Sequence, residues 1–347
     1  MISKPHNDSV LSIAILLIEQ LSFLFSLKYS RTSLTKTDAA RVWAANSLKG
    51  VFMKAGAALG TALLAFFLFL PVRAAADDRI LYEGDSIYHH ITVRQDGTER
   101  CMIFGRRQDL RQTCIDFARP DHPVFEYTAM MFAAFLFRPD ASSVCLIGLG
   151  GGYVPAVFRR HLPSVRLQTV EVDPLVEKLA RRHFAFSVPP GQTLAIDDGR
   201  QFLKKSRERY DQIWLDAFNS DYIPAHMTTR EFLTLVKERL AEGGIVVQNV
   251  FAGNRLYDAQ LATARAVFKK VFVFEGRQSG SAVIVAADNP AVEPEGLRKQ
   301  ALAWGGRLGG IDLVAEAEKC RVAPVKGEAP VMTDDFNPAN LLLMQKK

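Results

Sequence analysis

The chain has 347 residues, of which 48% are hydrophobic and 23% charged, with a net charge of +6. That length suits one large domain or two modest ones, and the balance is that of a folded globular protein. No dense Lys/Arg run with interleaved aromatics is present, which argues against a nucleic-acid partner, and no Cys or His pair among the four cysteines has zinc spacing, which argues against a structural metal.

The first 76 residues differ from the rest. Residues 10–27 are apolar apart from Glu19, Gln20 and three serines, and Lys28, Arg31, Lys36, Arg41, Lys49 and Lys54 follow. From Met53 comes a Met-Lys pair, an apolar run over 55–72, and Ala74-Ala75-Ala76-Asp77. This is the layout of a secretory signal peptide, and the run is also long enough for a transmembrane helix. Either reading of 53–76 puts residue 77 onward outside the cytoplasm, membrane-anchored or periplasmic. The remaining reading is a cytoplasmic protein whose N-terminal segment is misassigned. Residues 1–52 form an extension that need not belong to the mature protein.

Residues 77–137 read as a small antiparallel β domain followed by a helix. Ile87-Tyr88-His89-His90-Ile91-Thr92-Val93 has strand character, Gln95-Asp96-Gly97-Thr98 is a turn, and Cys101-Met102-Ile103-Phe104 continues the sheet. If 101–104 and 112–116 are hairpin strands, Cys101 and Cys114 can face each other, as an oxidising compartment would allow; two unpaired strand cysteines fit equally well. Residues 124–137 read as a buried helix.

From 138 to 347 the pattern alternates. Strands are predicted over 143–149, 166–171, 194–197, 212–216, 244–249 and 281–286. Helices are predicted over 152–161, 174–183, 199–206 and 229–240, and largely over 257–271. Strands and helices in this alternation imply a Rossmann-like α/β fold, a mostly parallel sheet covered on both faces. Ligands of such sheets bind beyond the carboxyl ends of the strands.

Three segments fall at three successive strand ends. Gly148-Leu149-Gly150-Gly151-Gly152 gives a sharp turn and room for a ligand against a helix start. Val170-Glu171-Val172-Asp173 puts a carboxylate at the second strand end, where it can accept from ribose hydroxyls; Glu171 is assigned to the ribose and Asp173 to a helix cap. Asp197-Asp198-Gly199 offers a carboxylate to an adenine amino group, or a helix cap. With no Lys or Arg in the glycine loop, the set describes an adenosine pocket of the S-adenosylmethionine kind.

The stretches VCLIGLGGGYV, VEVDP, DDGRQFL, YDQIWLDAF and SGSAVIVAADNP together resemble the spermidine/spermine synthase (polyamine aminopropyltransferase) family over roughly residues 88–290. The segments DAFNSDYIPAHMTTREF and MTDDFNPAN look like a divergent bacterial branch, often membrane-fused. The resemblance implies a methyltransferase-type Rossmann-like fold behind an N-terminal β domain, with decarboxylated S-adenosylmethionine as co-substrate, a small amine as acceptor and no tightly bound cofactor. It also implies a homodimer formed through the β region. By position, Gly148, Gly150, Gly152, Glu171, Asp197, Asp198 and Gly199 would hold the nucleoside. Asp216 would receive the proton of the attacking amine, and Tyr127, Asp221 and His226 would contact the acceptor.

The sequence also departs from the family pattern. Gly151 stands where the family's aminopropyl-binding Asp is expected, Ala129 replaces a Glu, Arg277 a Tyr and Asn219 an Asp. The adenosine half is intact and the cation-binding half is thinned, with Asp334 and Asp335 as further acids that could compensate. A methyltransferase using intact S-adenosylmethionine, or a nucleotide-binding domain without catalysis, are the alternatives.

Overall fold

The computed structural model describes residues 78–106, 111–217, 224–277, 279–324 and 329–344. The readings of residues 1–77 and of Asn219 and Asp221 lie outside the described residues. Among the described residues no helix is long and apolar enough to cross a membrane.

Four strands form an antiparallel meander in sequential order: β1 (Arg79–Asp85), β2 (His90–Asp96), β3 (Glu99–Phe104) and β4 (Thr113–Asp116). Gly97 and Thr98 make the two-residue turn between β2 and β3, where Asp96 faces Glu99. Cys101 and Cys114 stand directly opposite each other in the β3–β4 register and are joined by a disulfide. The link ties β4 to β3 on the strand that carries Thr113 into the site.

The helix expected over 124–137 is two: α1 (Glu126–Phe132) and α2 (Ala134–Phe137). The Ala133 N–H bonds to the Met130 carbonyl three residues back, a tighter turn that divides them. Residues 128–137 are all buried. Phe132 meets Trp214 edge-on at 5.0 Å, and Phe135 and Phe158 close around the same indole. Such contacts add about 0.5–1.5 kcal/mol each to the burial itself.

The main sheet has the order β12-β10-β11-β9-β8-β5-β6-β7. Its parallel part comprises β5 (Ser143–Ile147), β6 (Arg166–Glu171), β7 (Gln192–Ile196), β8 (Tyr210–Leu215) and β9 (Leu240–Phe251). The helices between them are α3 (Tyr153–His161), α4 (Pro174–His183), α5 (Gly199–Lys205) and α6 (Arg230–Glu238). Three antiparallel strands complete the sheet: β10 (Lys270–Glu275), β11 (Ser281–Ala287) and β12 (Cys320–Val322). The helix predicted over 257–271 is α7 (Leu256–Val267) and stops short of β10. Val271 to Phe274 are all buried, and only Phe268 and Lys269 separate β10 from α7, with no glycine or proline to announce the change. The chain closes with α8 (Pro294–Trp304), α9 (Leu313–Ala317) and α10 (Ala339–Leu343).

Alternate residues of the strands feed two cores. Val144, Leu146, Leu167, Trp214 and Val247 pack with α1–α4, α8 and α9. Cys145, Ile147, Val170, Ile213, Leu215 and Val246 pack with α5–α7. A period of two along each strand has this consequence in a sheet covered on both sides.

Candidate active site

A cavity of about 1130 Å³ opens at the carboxyl ends of β5–β9. Its wall is built from strand ends inward. Gly148 follows β5 with φ +107°, and its N–H donates to the Val170 carbonyl at 2.8 Å. A Cβ there would stand 2.3 Å from the Asp216 backbone oxygen. Only glycine lets the loop press this closely against the end of β8. Gly148 and Gly150 line the cavity; Gly152, also assigned to the nucleoside, does not line it and instead sits left-handed as the N-cap of α3.

Glu171 ends β6 and lines the cavity. Its carboxylate accepts from the Leu149 N–H at 2.9 Å and the Asp173 N–H at 3.0 Å. It thus braces the glycine loop while retaining lone pairs for a hydroxylated ligand. Burial pushes its pKa up. Asp173 caps α4 through the Leu175 N–H, as expected, and accepts from the Ser86 hydroxyl at 2.5 Å. That contact ties the β1–β2 connection, with Tyr88 and His89 in the cavity wall, to the main sheet.

Asp197, Asp198 and Gly199 also line the cavity. The helix-cap reading of Asp198 holds: one oxygen caps α5 at the Gln201 N–H, 2.9 Å, and the other meets His226 Nε2, 2.9 Å. The His226 hydrogen bond holds the Asp198 pKa below its ordinary value. Asp197 is paired with Lys205 at 2.8 Å. His226 lies on a single 3-10 turn, Ala225–Met227, and faces Asp198 rather than Asp216.

Asp216 follows β8 beside the glycine loop, on the cavity wall. Its Oδ1 accepts from Asn249 Nδ2 at 2.9 Å. Burial raises its pKa to about 7, against the Asn249 hydrogen bond and with help from the Glu171 charge. Tyr127, at the start of α1, lines the same wall and donates from its hydroxyl to the Gln112 carbonyl at 3.3 Å. Burial, then the Asp216 charge, push its phenol well above the usual value, so it stays a neutral donor.

The departures have a structural reading. Gly151 donates its N–H to Thr113 Oγ1 at 3.0 Å, and a Cβ there would come within 2.9 Å of the Phe184 ring. Phe184 and Thr113 fill the space a side chain at 151 would need. Ala129 is core. Arg277 is exposed and is not part of the cavity wall, so it adds no charge there. Asp334, considered as a compensating acid, is paired with Arg200. Asn249 was not singled out in the sequence; the signal was the polar Gln248-Asn249 pair interrupting an otherwise apolar strand end.

A family profile for the Spermine/spermidine synthase domain matches residues 125–275. The chain is 34% identical over 273 residues to a polyamine aminopropyltransferase of Vibrio vulnificus (strain CMCP6), covering 76% of this chain and 91% of that protein. Among solved structures, it is similar to a probable spermidine synthase from Corynebacterium glutamicum ATCC 13032, with a TM-score of 0.55 and 20% identity. That match covers 73% of this chain and 99% of the other. It is also similar to the spermidine synthase from Thermotoga maritima, with a TM-score of 0.51 and 22% identity over 64% of this chain and 78% of the other. These two likenesses speak to the fold.

Proposed function

The chain belongs to the spermine/spermidine synthase (polyamine aminopropyltransferase) family, and we propose that it moves an aminopropyl group from decarboxylated S-adenosylmethionine to a small amine. The observation that carries this reading is Asp216: a carboxylate on the cavity wall, its pKa near 7, beside a glycine loop flanked by Glu171 and Asp198. In this reading Gly148 and Gly150 let the nucleoside lie against the loop, Glu171 accepts from the ribose hydroxyls and Asp198, steadied by His226, accepts from the adenine amino group. The acceptor enters beside Tyr127.

The chemistry needs few groups. The acceptor nitrogen attacks the aminopropyl carbon next to the sulfonium, and a new C–N bond forms. The C–S bond breaks with its electron pair going to sulfur, leaving a neutral methylthio-nucleoside. The nitrogen's proton passes to Asp216 and then to solvent. Since the leaving group is already activated, alignment of the two reactants and proton acceptance supply the acceleration. A carboxylate titrating near 7 is suited to accept a proton at neutral pH and release it again.

The test is release of methylthio-nucleoside by the full chain given decarboxylated donor and a panel of small amines. Transfer that disappears in Asp216→Asn is expected; no transfer to any amine would sink the reading. A second reading, methyl transfer from intact S-adenosylmethionine, is favoured by Gly151, where no carboxylate is present to repel the donor's own. Tighter binding of intact than of decarboxylated donor would select it. Binding of both without turnover would leave a nucleotide-binding domain.

The Cys101–Cys114 disulfide and the apolar run over 55–72 support an exported or membrane-anchored placement of the domain. Fractionation of cells checks this. Exposed Ile80 and Ile87 on the first hairpin support pairing of two copies through that sheet, which sedimentation would register.

A further inference from the structure

We propose that residues 332–337 form a clasp that sets how tightly the site holds the adenosine half of its donor, with Asp334 and Arg200 as positioning residues. The inference rests on the reading of the site as an S-adenosyl nucleoside site. Arg200 lies on α5, two residues beyond Asp198. Its guanidinium takes both oxygens of Asp334, Nη1 to Oδ1 at 2.8 Å and Nη2 to Oδ2 at 2.5 Å, and Nη1 also donates to the His226 carbonyl at 2.9 Å. Thr229 Oγ1 donates to Asp334 Oδ1 at 2.8 Å, and the Asp334 N–H donates to Glu231 at 2.9 Å. Three residues on, Asn337 Nδ2 donates to the Ala225 carbonyl at 2.7 Å and to Thr228 Oγ1 at 3.2 Å. The segment is anchored behind by buried Met332, whose N–H donates to Thr263 and whose carbonyl accepts from Arg230.

These bonds make a closed circuit. Asp198 is joined to His226, and the turn carrying His226 is held by Asn337. Asn337 is three residues from Asp334, which is joined to Arg200, and Arg200 shares α5 with Asp198. The turn at 225–227 has no side-chain cap at its start and is held by buried Met227 on one side and by Asn337 on the other. A bidentate guanidinium–carboxylate pair fixes geometry as well as distance. With the circuit closed, Asp198 and His226 are oriented before the ligand arrives, and the ordering they would otherwise lose on binding is already in place. The same segment then continues into the cavity wall, where Asn340 and Met344 stand. Asp216 and Asn249 lie outside the circuit, so the clasp acts on affinity and leaves the transfer step alone.

The experiment uses the full chain and titrates decarboxylated S-adenosylmethionine and its methylthio-nucleoside product into wild type, Asp334→Asn, Asp334→Glu, Arg200→Gln and the Asp334→Asn/Arg200→Gln double variant, with a melting curve for each. Asp335→Asn serves as control: Asp335, considered as a compensating acid, is exposed, lies outside the cavity wall and makes none of these bonds. Asp334→Asn is expected to weaken both ligands about tenfold, with the rate at saturating donor within about twofold of wild type. Asp334→Glu should recover part of the affinity, and the double variant should be no weaker than the worse single one. A wild-type Kd in Asp334→Asn would overturn the clasp, as would a fall in rate with donor KM unchanged, or a lower melting point with unchanged Kd. The reading of the site fails separately: wild type that binds neither nucleoside sinks both, whereas wild type that binds and transfers while Asp334→Asn binds equally well sinks the clasp alone.

Discussion

Strand β8 carries an aspartate near each end, and the two have opposite characters. Asp211, near the start of the strand, accepts from the Ser142 and Ser143 N–H groups at 2.8 and 3.0 Å, from both serine hydroxyls at 3.0 Å, and from Arg138 at 3.3 Å. Asp216, just past the end, has Asn249 at 2.9 Å. Burial pushes both carboxyls up. At Asp211 the donors outweigh it and the pKa falls below its ordinary value; at Asp216 they do not, and it rises to about 7. The difference lies in how strongly each carboxylate is desolvated and in how many donors and cations surround it, and it divides an acid held in its charged form from one that titrates near neutrality. It also follows the sheet, since the carboxyl ends of the strands are where the cavity opens.

The largest expected effect comes from neutralising the poorly satisfied acid. Asp216→Asn keeps the shape and a partner for Asn249 but cannot take a proton, and transfer should fall by roughly a thousandfold, within the range typical of general-base removal. Stability should move the other way. The Asp216 pKa is higher folded than unfolded, so as pH rises from about 4 the unfolded chain ionises first and the fold loses stability until about pH 7. Asp216→Asn removes that penalty, on the order of a few kcal/mol above pH 7. Melting curves at pH 5 and pH 8 should show the variant gaining on wild type as pH rises; an equal difference at both would break the comparison.

Asp211→Ala should do the reverse. It removes the carboxylate that two N–H groups and two hydroxyls donate to and leaves Arg138 with Asp140 and the Glu242 carbonyl, and the expected loss is about 2–3 kcal/mol of stability by chemical denaturation. The folded Asp211 pKa is depressed, so its contribution is present above the unfolded value and is lost as pH falls through the folded one. The gap between variant and wild type should therefore close in acid. Turnover of the folded variant at low temperature should be near wild type, because Asp211 lies at the far end of β8 from the cavity.

The two aspartates also mark how much the sequence discloses. Asp216 was legible through the family resemblance, as the acid that follows the apolar stretch YDQIWL, whereas the glycine loop and the two acidic strand ends before it were legible from residue types in order. The parallel half of the sheet was legible too, since period and punctuation agreed. Strand β10 was not, because only Phe268 and Lys269 separate it from α7 and no glycine or proline marks the change. How an acid titrates depends on its burial and its donors, and the donors come from elsewhere: Ser142 and Ser143 from β5 and the residue before it, Asn249 from β9. The Arg200–Asp334 pair joins residues 134 apart, and the blocking of position 151 depends on Phe184 and Thr113 from separate elements. Pattern along a chain reports the elements; it does not report which side chains meet across them.

The comparison is sharpest at Asn249, the donor that keeps Asp216 from rising further. Asn249→Leu removes the hydrogen bond and leaves the desolvation, so the Asp216 pKa should climb above about 7. One such bond to a charged group corresponds to about one pKa unit. The rising limb of kcat/KM against pH should shift upward by that amount. The acceptor amine titrates identically in both proteins, so the difference between the two profiles isolates the carboxylate. At pH 7 the variant should run about five- to tenfold slower than wild type and recover most of the gap by pH 9. A loss that is constant across pH would mean that Asn249 orients Asp216 without tuning it, and the contrast with Asp211 would then rest on geometry alone.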